Sequence, residues 1–351
     1  MQTPCSGRSM SAADIWTIRV NSRNSCKTGF QKQKIAKRTH RAHFNFPATT
    51  TIYEKTVPNL HEKRTQLFPP NIPHRTPSER IANNSDFARS TPIWFHPEMP
   101  KASLRAIVQY CDRILRTSEI GDYPGAANGL QVENDGTVTR IAATVDASLA
   151  TVKLAIRAKA DLLIVHHGPF WSPSHPWTGK KYELLRLLIE NNLAVYSSHL
   201  PLDAHPKLGN NAQLCAALGL KHTRPFFASH GTLIGLKARQ KISRTELSIR
   251  LQRALGSKPL LIPGGGEHCE YIGVVTGGAG DNLKQAAAEG VDTFITGEGR
   301  HWTYALAEDL GMNVFHGGHY ATETFGIKAL ATHLSQKFKA PWMFLDYPTG
   351  L

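Results

Sequence analysis

Residues 141–168 read Ile141-Ala-Ala-Thr-Val145, then Leu149-Ala-Thr-Val-Lys-Leu-Ala-Ile-Arg-Ala-Lys159, then Leu162-Leu-Ile-Val165-His166-His167-Gly168. The first piece predicts a strand, the second repeats apolar residues at helical spacing, and the third is an aliphatic run short enough to be a buried strand. Strand, helix and strand of these lengths make a βαβ unit with parallel pairing. The alternation continues outward with a helix over 182–191 and a strand over 193–197. It resumes with strands over 272–276, 293–296 and 313–316 and helices over 282–289 and 302–310. The fold class expected is therefore α/β.

Residues 141–168 align without a gap on 272–299, at an offset of 131. Ile141, Lys153, Ala155, Asp161, Ile164 and Gly168 match Ile272, Lys284, Ala286, Asp292, Ile295 and Gly299. Each run then reaches a His-x-x-x-carboxylate pair, His199 to Asp203 and His319 to Glu323. Two similar α/β lobes follow, although βαβ units also resemble one another by chemistry alone. The expected limits are 99–223 for lobe one and 269–351 for lobe two. Between them, 224–268 reads as a small inserted α+β segment, with a strand near Leu233–Leu236 and a helix from Thr245 to Leu255.

The formal net charge of +14 suggests nucleic acid until it is located. Residues 1–100 hold 15 Lys/Arg against 6 Asp/Glu, and 10 of the 21 prolines. No apolar period is sustained there, so residues 1–98 are expected to be a disordered basic extension. A basic arm, an organellar transit peptide and a stretch upstream of a functional start at Met99 all fit this composition. The third fits best, because a clean amphipathic run starts at Leu104. The remaining charge is modest, so a nucleic-acid role is not expected. No apolar run approaches the ~20 residues of a membrane span. The five cysteines form no C-x-x-C pair, which suits a reducing, cytoplasmic setting, or an organellar one if the extension is a transit peptide.

Functional groups collect at the carboxyl ends of parallel strands, where His166 and His167 stand. Adjacent residues within a strand face opposite ways, so a turn at Gly168 is expected to bring both rings to one site. His319 and Glu323 share a helical face at i, i+4. Asp203 is expected in a loop that Pro201 keeps from being a regular helix, with Asn210-Asn211 capping the next helix. Single members of this set have bland alternatives, such as a core histidine or a turn aspartate. Together, three imidazoles and two carboxylates exceed one tetrahedral zinc and suit two cations about 3.5–4 Å apart. Zinc, manganese, iron, cobalt or nickel fit such ligands better than calcium or magnesium.

At these residues the chain resembles the GTP cyclohydrolase 1 type 2 / NIF-three-like dinuclear metal-centre proteins. The matching stretches begin with Gly125-Ala-Ala-Asn128-Gly129-Leu130-Gln131-Val132, Ile164-Val-His-His-Gly168 and His199-Leu-Pro-Leu-Asp203-Ala-His-Pro. They continue with Gly209-Asn-Asn-Ala-Gln213, Thr296-Gly-Glu298 and Gly318-His-Tyr-Ala-Thr-Glu323-Thr. The resemblance covers about residues 101–351. It implies two divalent metal ions per subunit on His166, His167, Asp203, His319 and Glu323, with Glu323 bridging and His199 beside them. It also implies a ring-shaped homo-oligomer, commonly a hexamer.

A water between two cations becomes acidic enough to serve as a nucleophile near neutral pH. His199 could carry its proton, and Glu298 could assist as acid or base. If the family name holds, the substrate is a small molecule such as GTP, attacked at C8 of its guanine ring. No G-x-x-x-x-G-K-[ST] loop is present, and Gly277-Gly-Ala-Gly280 reads as a tight turn. The expectation is a metal-dependent hydrolase. The alternative is a non-enzymatic metal-binding or regulatory protein.

Overall fold

The structure, a computed structural model, describes residues 101–171 and 176–351. The expectation for residues 1–98 lies outside the described residues. In chain order the elements begin with β1 (Ala102–Ser103), α1 (Leu104–Leu115), β2 (Gly129–Val132), β3 (Thr137–Val138), β4 (Ile141–Asp146) and α2 (Leu149–Arg157). Next come β5 (Leu162–His167), α3 (Lys180–Glu190), β6 (Ala194–Ser197), α4 (Leu200–Asp203) and α5 (Asn210–Ala217). Then follow β7 (Arg224–Ser229), β8 (Thr232–Ser243), α6 (Arg244–Leu255), β9 (Leu260–Pro263) and β10 (His268–Val274). The chain ends with α7 (Leu283–Ala288), β11 (Thr293–Thr296), α8 (Thr303–Asp309), β12 (Asn313–His316), α9 (His319–Phe338) and β13 (Trp342–Phe344). A 3-10 turn, Ala279–Asn282, leads into α7.

Two sheets carry the lobes. The first has the order β13-β4-β5-β6-β2, parallel except for β2. The second has the order β7-β8-β10-β11-β12-β9, parallel over β10, β11 and β12 and antiparallel at the rest. The repeat holds down to the pairing register. Ile141, Ala142 and Ala143 pair with Leu162, Leu163 and Ile164, while Ile272, Gly273 and Val274 pair with Thr293, Phe294 and Ile295. The second set is the first displaced by the same offset the sequences show.

Strand residues alternate between the two faces of each sheet, as a period of two requires. In lobe one, Ile141, Leu162 and Ile164 pack under α1 and α9, and Ala142, Leu163 and Val165 pack under α2 and α3. In lobe two, Ile272, Ile295 and Phe315 meet α5 and α6, while Phe294 and Val314 meet α7 and α8. Each fully buried Ile, Leu or Phe contributes roughly 1.5–3 kcal/mol. Packing of this kind holds the strands, which leaves the polar residues at their carboxyl ends available for chemistry.

Two boundaries differ from expectation. Segment 224–268 is α+β, but it does not stand apart: β7, β8 and β9 extend the sheet of lobe two. The chain also returns to lobe one after β12. The residues Ile327, Leu330 and Leu334 of α9 belong to the lobe-one core, and β13 pairs with β4. The helix that carries His319 and Glu323 is therefore anchored on the sheet that carries His166 and His167. Among the described residues no helix is long and apolar enough to cross a membrane. Cys111, Cys215 and Cys269 are buried free thiols, and burial pushes Cys215 up to about 12, which leaves it unreactive.

Candidate metal centre

Strand β5 does not turn at Gly168 to gather its histidines. It continues through His167, which pairs with Asp146 of β4. The rings converge because each leans on a different neighbour. The His166 Nδ1 meets the carbonyl of Ser198, just past β6, at 2.8 Å, and the His167 Nδ1 meets Asp146 Oδ1 at 2.8 Å. Their ring centroids end 4.8 Å apart. Gly168 serves another purpose: a Cβ there would strike the Gln131 side chain, whose Oε1 accepts from the Phe170 N–H at 3.1 Å.

Helix α9 opens on His319, so His319 and Glu323 share its first turns. Glu323 is the centre of the cluster. Its Oε1 lies 3.5 Å from His166 Nε2 and 3.2 Å from His319 Nε2, and its Oε2 lies 3.5 Å from His167 Nε2. Room for this carboxylate comes from Gly277, whose backbone φ of +71° favours glycine and whose missing Cβ would strike Glu323 Oε1. The glycine run read as a tight turn is thus also a wall of the site.

Asp203 stands at the end of the short helix α4 rather than in a loop. Pro201 lies in its first turn, where a missing N–H costs nothing. Asp203 Oδ2 is 3.6 Å from His166 Nε2, and its Oδ1 accepts from Asn210 Nδ2 at 2.8 Å. Asn210 and Asn211 are not caps: α5 starts at Asn210, and Gly209 holds the cap position without a side-chain bond. Instead, Asn210 Oδ1 accepts from Gly326 N of α9 at 2.6 Å, and Asn211 Oδ1 accepts from Thr276 N at 2.8 Å. The pair ties α5 to α9 and to the loop after β10.

The two His-x-x-x-carboxylate pairs are not equivalent. His199 is the cap residue before α4, whereas His319 is the first residue within α9. The His199 ring lies 5.0 Å from that of His166 and 5.5 Å from that of His167, and its Nδ1 meets Asp122 Oδ1 at 2.8 Å. Glu298 occupies the repeat position of His167 and accepts from His319 Nδ1 at 2.8 Å, with half of its side chain exposed. The structure thus brings His166, His167, Asp203, His199, His319, Glu323 and Glu298 together. Asp122, Asn128, Asp146 and Asn210, which hold them, were not singled out for that task by the sequence reading.

Two groups among the described residues could hold a metal ion: His166 with His167 and His199, and His167 with His319 and Glu323. In each group the donor atoms lie within 4.8 Å of one another. All four imidazoles give Nδ1 to a carbonyl or carboxylate, which leaves Nε2 for a ligand, the arrangement that orients metal-binding histidines. The buried His166 Nε2 and Glu323 Oε2 have no hydrogen-bond partner. Burial disfavours charge on His166, but Asp203 and Glu323 overcome it and push the imidazole up to about 10. For His319, the hydrogen bond it donates to Glu323 leads in pushing it up to about 9. Burial opposes the Glu323 charge, yet His166, His319 and His167 hold its carboxyl well below the usual range. The cluster calls for positive charge, which protons or cations can supply.

A cavity of about 530 Å³ opens onto the cluster. His167, His199, Asp203, His319 and Glu323 form its floor, and Tyr123, Trp171 and Phe227 give it aromatic walls. Ser229, Thr276, Asp281 and Asn282 supply polar ones. Trp171 stands edge-on to His199 at 5.0 Å between ring centroids.

Residues 102–349 match the sequence model of the family described as Duf34/NIF3 (NGG1p interacting factor 3). A Deinococcus radiodurans protein named GTP cyclohydrolase 1 type 2 homolog is 40% identical over 248 residues, 70% of this chain and 93% of its own. A Pyrococcus horikoshii protein of the same name is also 40% identical, over 70% of this chain and 98% of its own. Among solved structures, TTHA1606 from Thermus thermophilus superposes with a TM-score of 0.66 at 38% identity, covering 71% of this chain and all of that one. Reduced HcgD from Methanocaldococcus jannaschii gives a TM-score of 0.64 at 26% identity, again over 71% of this chain and all of that one.

Proposed function

Because this chain belongs to the Duf34/NIF3 family, we propose that its buried imidazole–carboxylate cluster is the centre of a hydrolase dependent on divalent transition-metal ions. His166, His167, Asp203, His319 and Glu323 would hold two such ions. The observation that carries this reading is that two of the buried side-chain atoms without a hydrogen-bond partner, His166 Nε2 and Glu323 Oε2, belong to this cluster. Leaving a buried polar atom unmade costs about 1–3 kcal/mol, and more for a charged group. His166 Nε2 lies 3.5 Å from Glu323 Oε1, and Glu323 Oε2 lies 3.5 Å from His167 Nε2, so cations held within the cluster would satisfy both atoms.

Bound cations supply Lewis acidity, which acidifies water and polarises the group it attacks. The chain's own residues do the rest. Glu323 approaches three imidazoles with its two oxygens, which suits a carboxylate shared between two ions. Asp203, steadied by Asn210, adds the second negative charge. Glu298 accepts from His319 Nδ1 and is half exposed, and in this reading it would take up a proton and return it to a leaving group. The aromatic walls of the cavity suit a flat ring, in keeping with attack on a purine ring or another amide-like C–N bond. The name shared by the relatives makes GTP the first compound to try.

The test is incubation of the metal-loaded chain with GTP, other nucleotides and small amides, with product detected by chromatography. Metal-dependent turnover that His167→Ala and Glu323→Ala abolish supports the hydrolase. Full turnover in both variants contradicts it. Two ions bound with no compound consumed favours a non-enzymatic metal-binding or regulatory role.

A further inference from the structure

Resting on the hydrolase reading above, we propose that the cavity over the cluster selects an uncharged planar heteroaromatic ring, a base or nucleoside rather than a nucleotide polyphosphate, and that Trp171 and Tyr123 determine this choice. The starting observation is the charge of the walls. Among the described residues no lysine or arginine lines the cavity, whereas Asp203, Asp281 and Glu323 do. Cations held in the cluster would offset Asp203 and Glu323. Asp281 has its own partner: its Oδ2 lies 3.0 Å from Arg300 Nε, and its Oδ1 accepts the Arg300 N–H at 3.1 Å. That arginine side chain is 76% exposed and stands outside the lining. Phosphate groups are held by opposed positive charge, above all from Arg and Lys. With the reacting ring placed at the cations, a phosphate chain would lie away from them, against walls that carry no cationic side chain.

What the walls do offer is aromatic surface. Trp171 is 40% exposed and Tyr123 is 50% exposed, so each keeps ring surface free for a ligand. Both stand against the imidazoles of the cluster. The Trp171 ring lies 5.0 Å from that of His199 and 6.0 Å from that of His167, and the Tyr123 ring lies 5.8 Å from that of His199. Tyr123 is braced by His230, whose ring packs edge-on at 4.4 Å. Gly121 permits this approach, because a Cβ there would strike the His230 carbonyl oxygen. Phe227 adds a fixed apolar wall. Its φ of +63° is unusual for so bulky a residue, its N–H turns to Glu289 Oε1 at 3.0 Å, and its ring stacks on Phe294 at 5.8 Å. A neutral ring gains from stacking on such surfaces and gives up no charge hydration on entering.

The experiment titrates the metal-loaded full chain with guanosine, GMP and GTP by calorimetry, and repeats the guanosine titration with Trp171→Ala, Trp171→Phe and Tyr123→Leu. The proposal predicts that guanosine binds and that affinity falls by about 10-fold or more from guanosine to GTP. Trp171→Ala and Tyr123→Leu should each weaken guanosine about 5–100-fold, and Trp171→Phe, which keeps a ring, should recover most of that loss. Affinity that is level or rises with each phosphate overturns the proposal, as does guanosine that fails to bind or binds the folded Trp171→Ala chain as it binds the wild type. These readings do not depend on turnover. Guanosine bound as predicted but never consumed leaves the selectivity standing and counts against the hydrolase. GTP bound more tightly than guanosine, and consumed, does the reverse. Far-UV circular dichroism establishes that a variant is folded. Should Trp171→Ala fail that check, Tyr123→Leu decides the matter.

Discussion

Asp161 and Asp292 do the same work in the two lobes. Asp161 Oδ2 accepts the N–H groups of Thr139 and Arg140 at 2.6 and 2.9 Å, just before β4. Asp292 Oδ2 accepts those of Glu270 and Tyr271 at 3.1 and 2.8 Å, at the matching place in β10. The backbone continues the symmetry: Asp161 N donates to Arg140 O, and Asp292 N donates to Tyr271 O, each at 3.0 Å. Each carboxylate thus clamps the entry of one central strand against the next, and the shared aspartate has a physical reason to be there.

Replacing either aspartate with alanine strands two backbone donors. Each replacement is expected to lower stability by about 1–3 kcal/mol, read from urea unfolding. Cation uptake by the folded fraction should not change, because neither residue approaches the cluster. Wild-type stability in both variants would contradict the clamp.

Cation binding should release protons. Without ions, His166 is pushed up to about 10 and His319 to about 9, so both are protonated near neutral pH. An ion needs the lone pairs those protons occupy. Uptake at a pH of about 7.5 should therefore release up to about two protons per chain, and affinity should rise with pH until the imidazoles are free. Calorimetry in buffers of different ionisation enthalpy measures the release. A binding heat independent of the buffer would show that no protons leave.

Gly277→Ala tests the packing around Glu323. The new Cβ would meet Glu323 Oε1, at a backbone φ of +71° that alanine adopts poorly. The φ alone costs about 1 kcal/mol or more, and a displaced carboxylate weakens cation binding as well. The expected result is a lower melting temperature together with weaker cation affinity. A loss of stability with unchanged affinity would mean that the glycine serves only its turn.

The strands, the helices and the repeat were legible because burial imposes a period on the chain. The aliphatic run Leu162–Val165 and the matched Asp161 and Asp292 sit in the same register in both lobes. The histidines and Glu323 were legible because their spacing and strand-end position are local. Their supports were not. Asp146 lies 21 residues from His167, and Asp122 lies 77 from His199, distances that only the folded topology closes. Asn210 and Asn211 looked like helix caps because that is the commonest local use of asparagine, and only tertiary contacts redirect them. The return of α9 and β13 to lobe one was hidden for the same reason: an apolar helix face does not state which sheet it will cover.

Divalent transition-metal content per chain, measured by mass spectrometry after loading and desalting, tests the central claim most directly. Wild type and Glu323→Gln would be compared side by side. Glu323 meets three imidazoles, so removing its charge should disrupt both ions at once. The account predicts about two ions per chain in the wild type and a loss of most of them in the variant. A wild-type chain that retains none, or a Glu323→Gln chain that keeps the full complement, would contradict it.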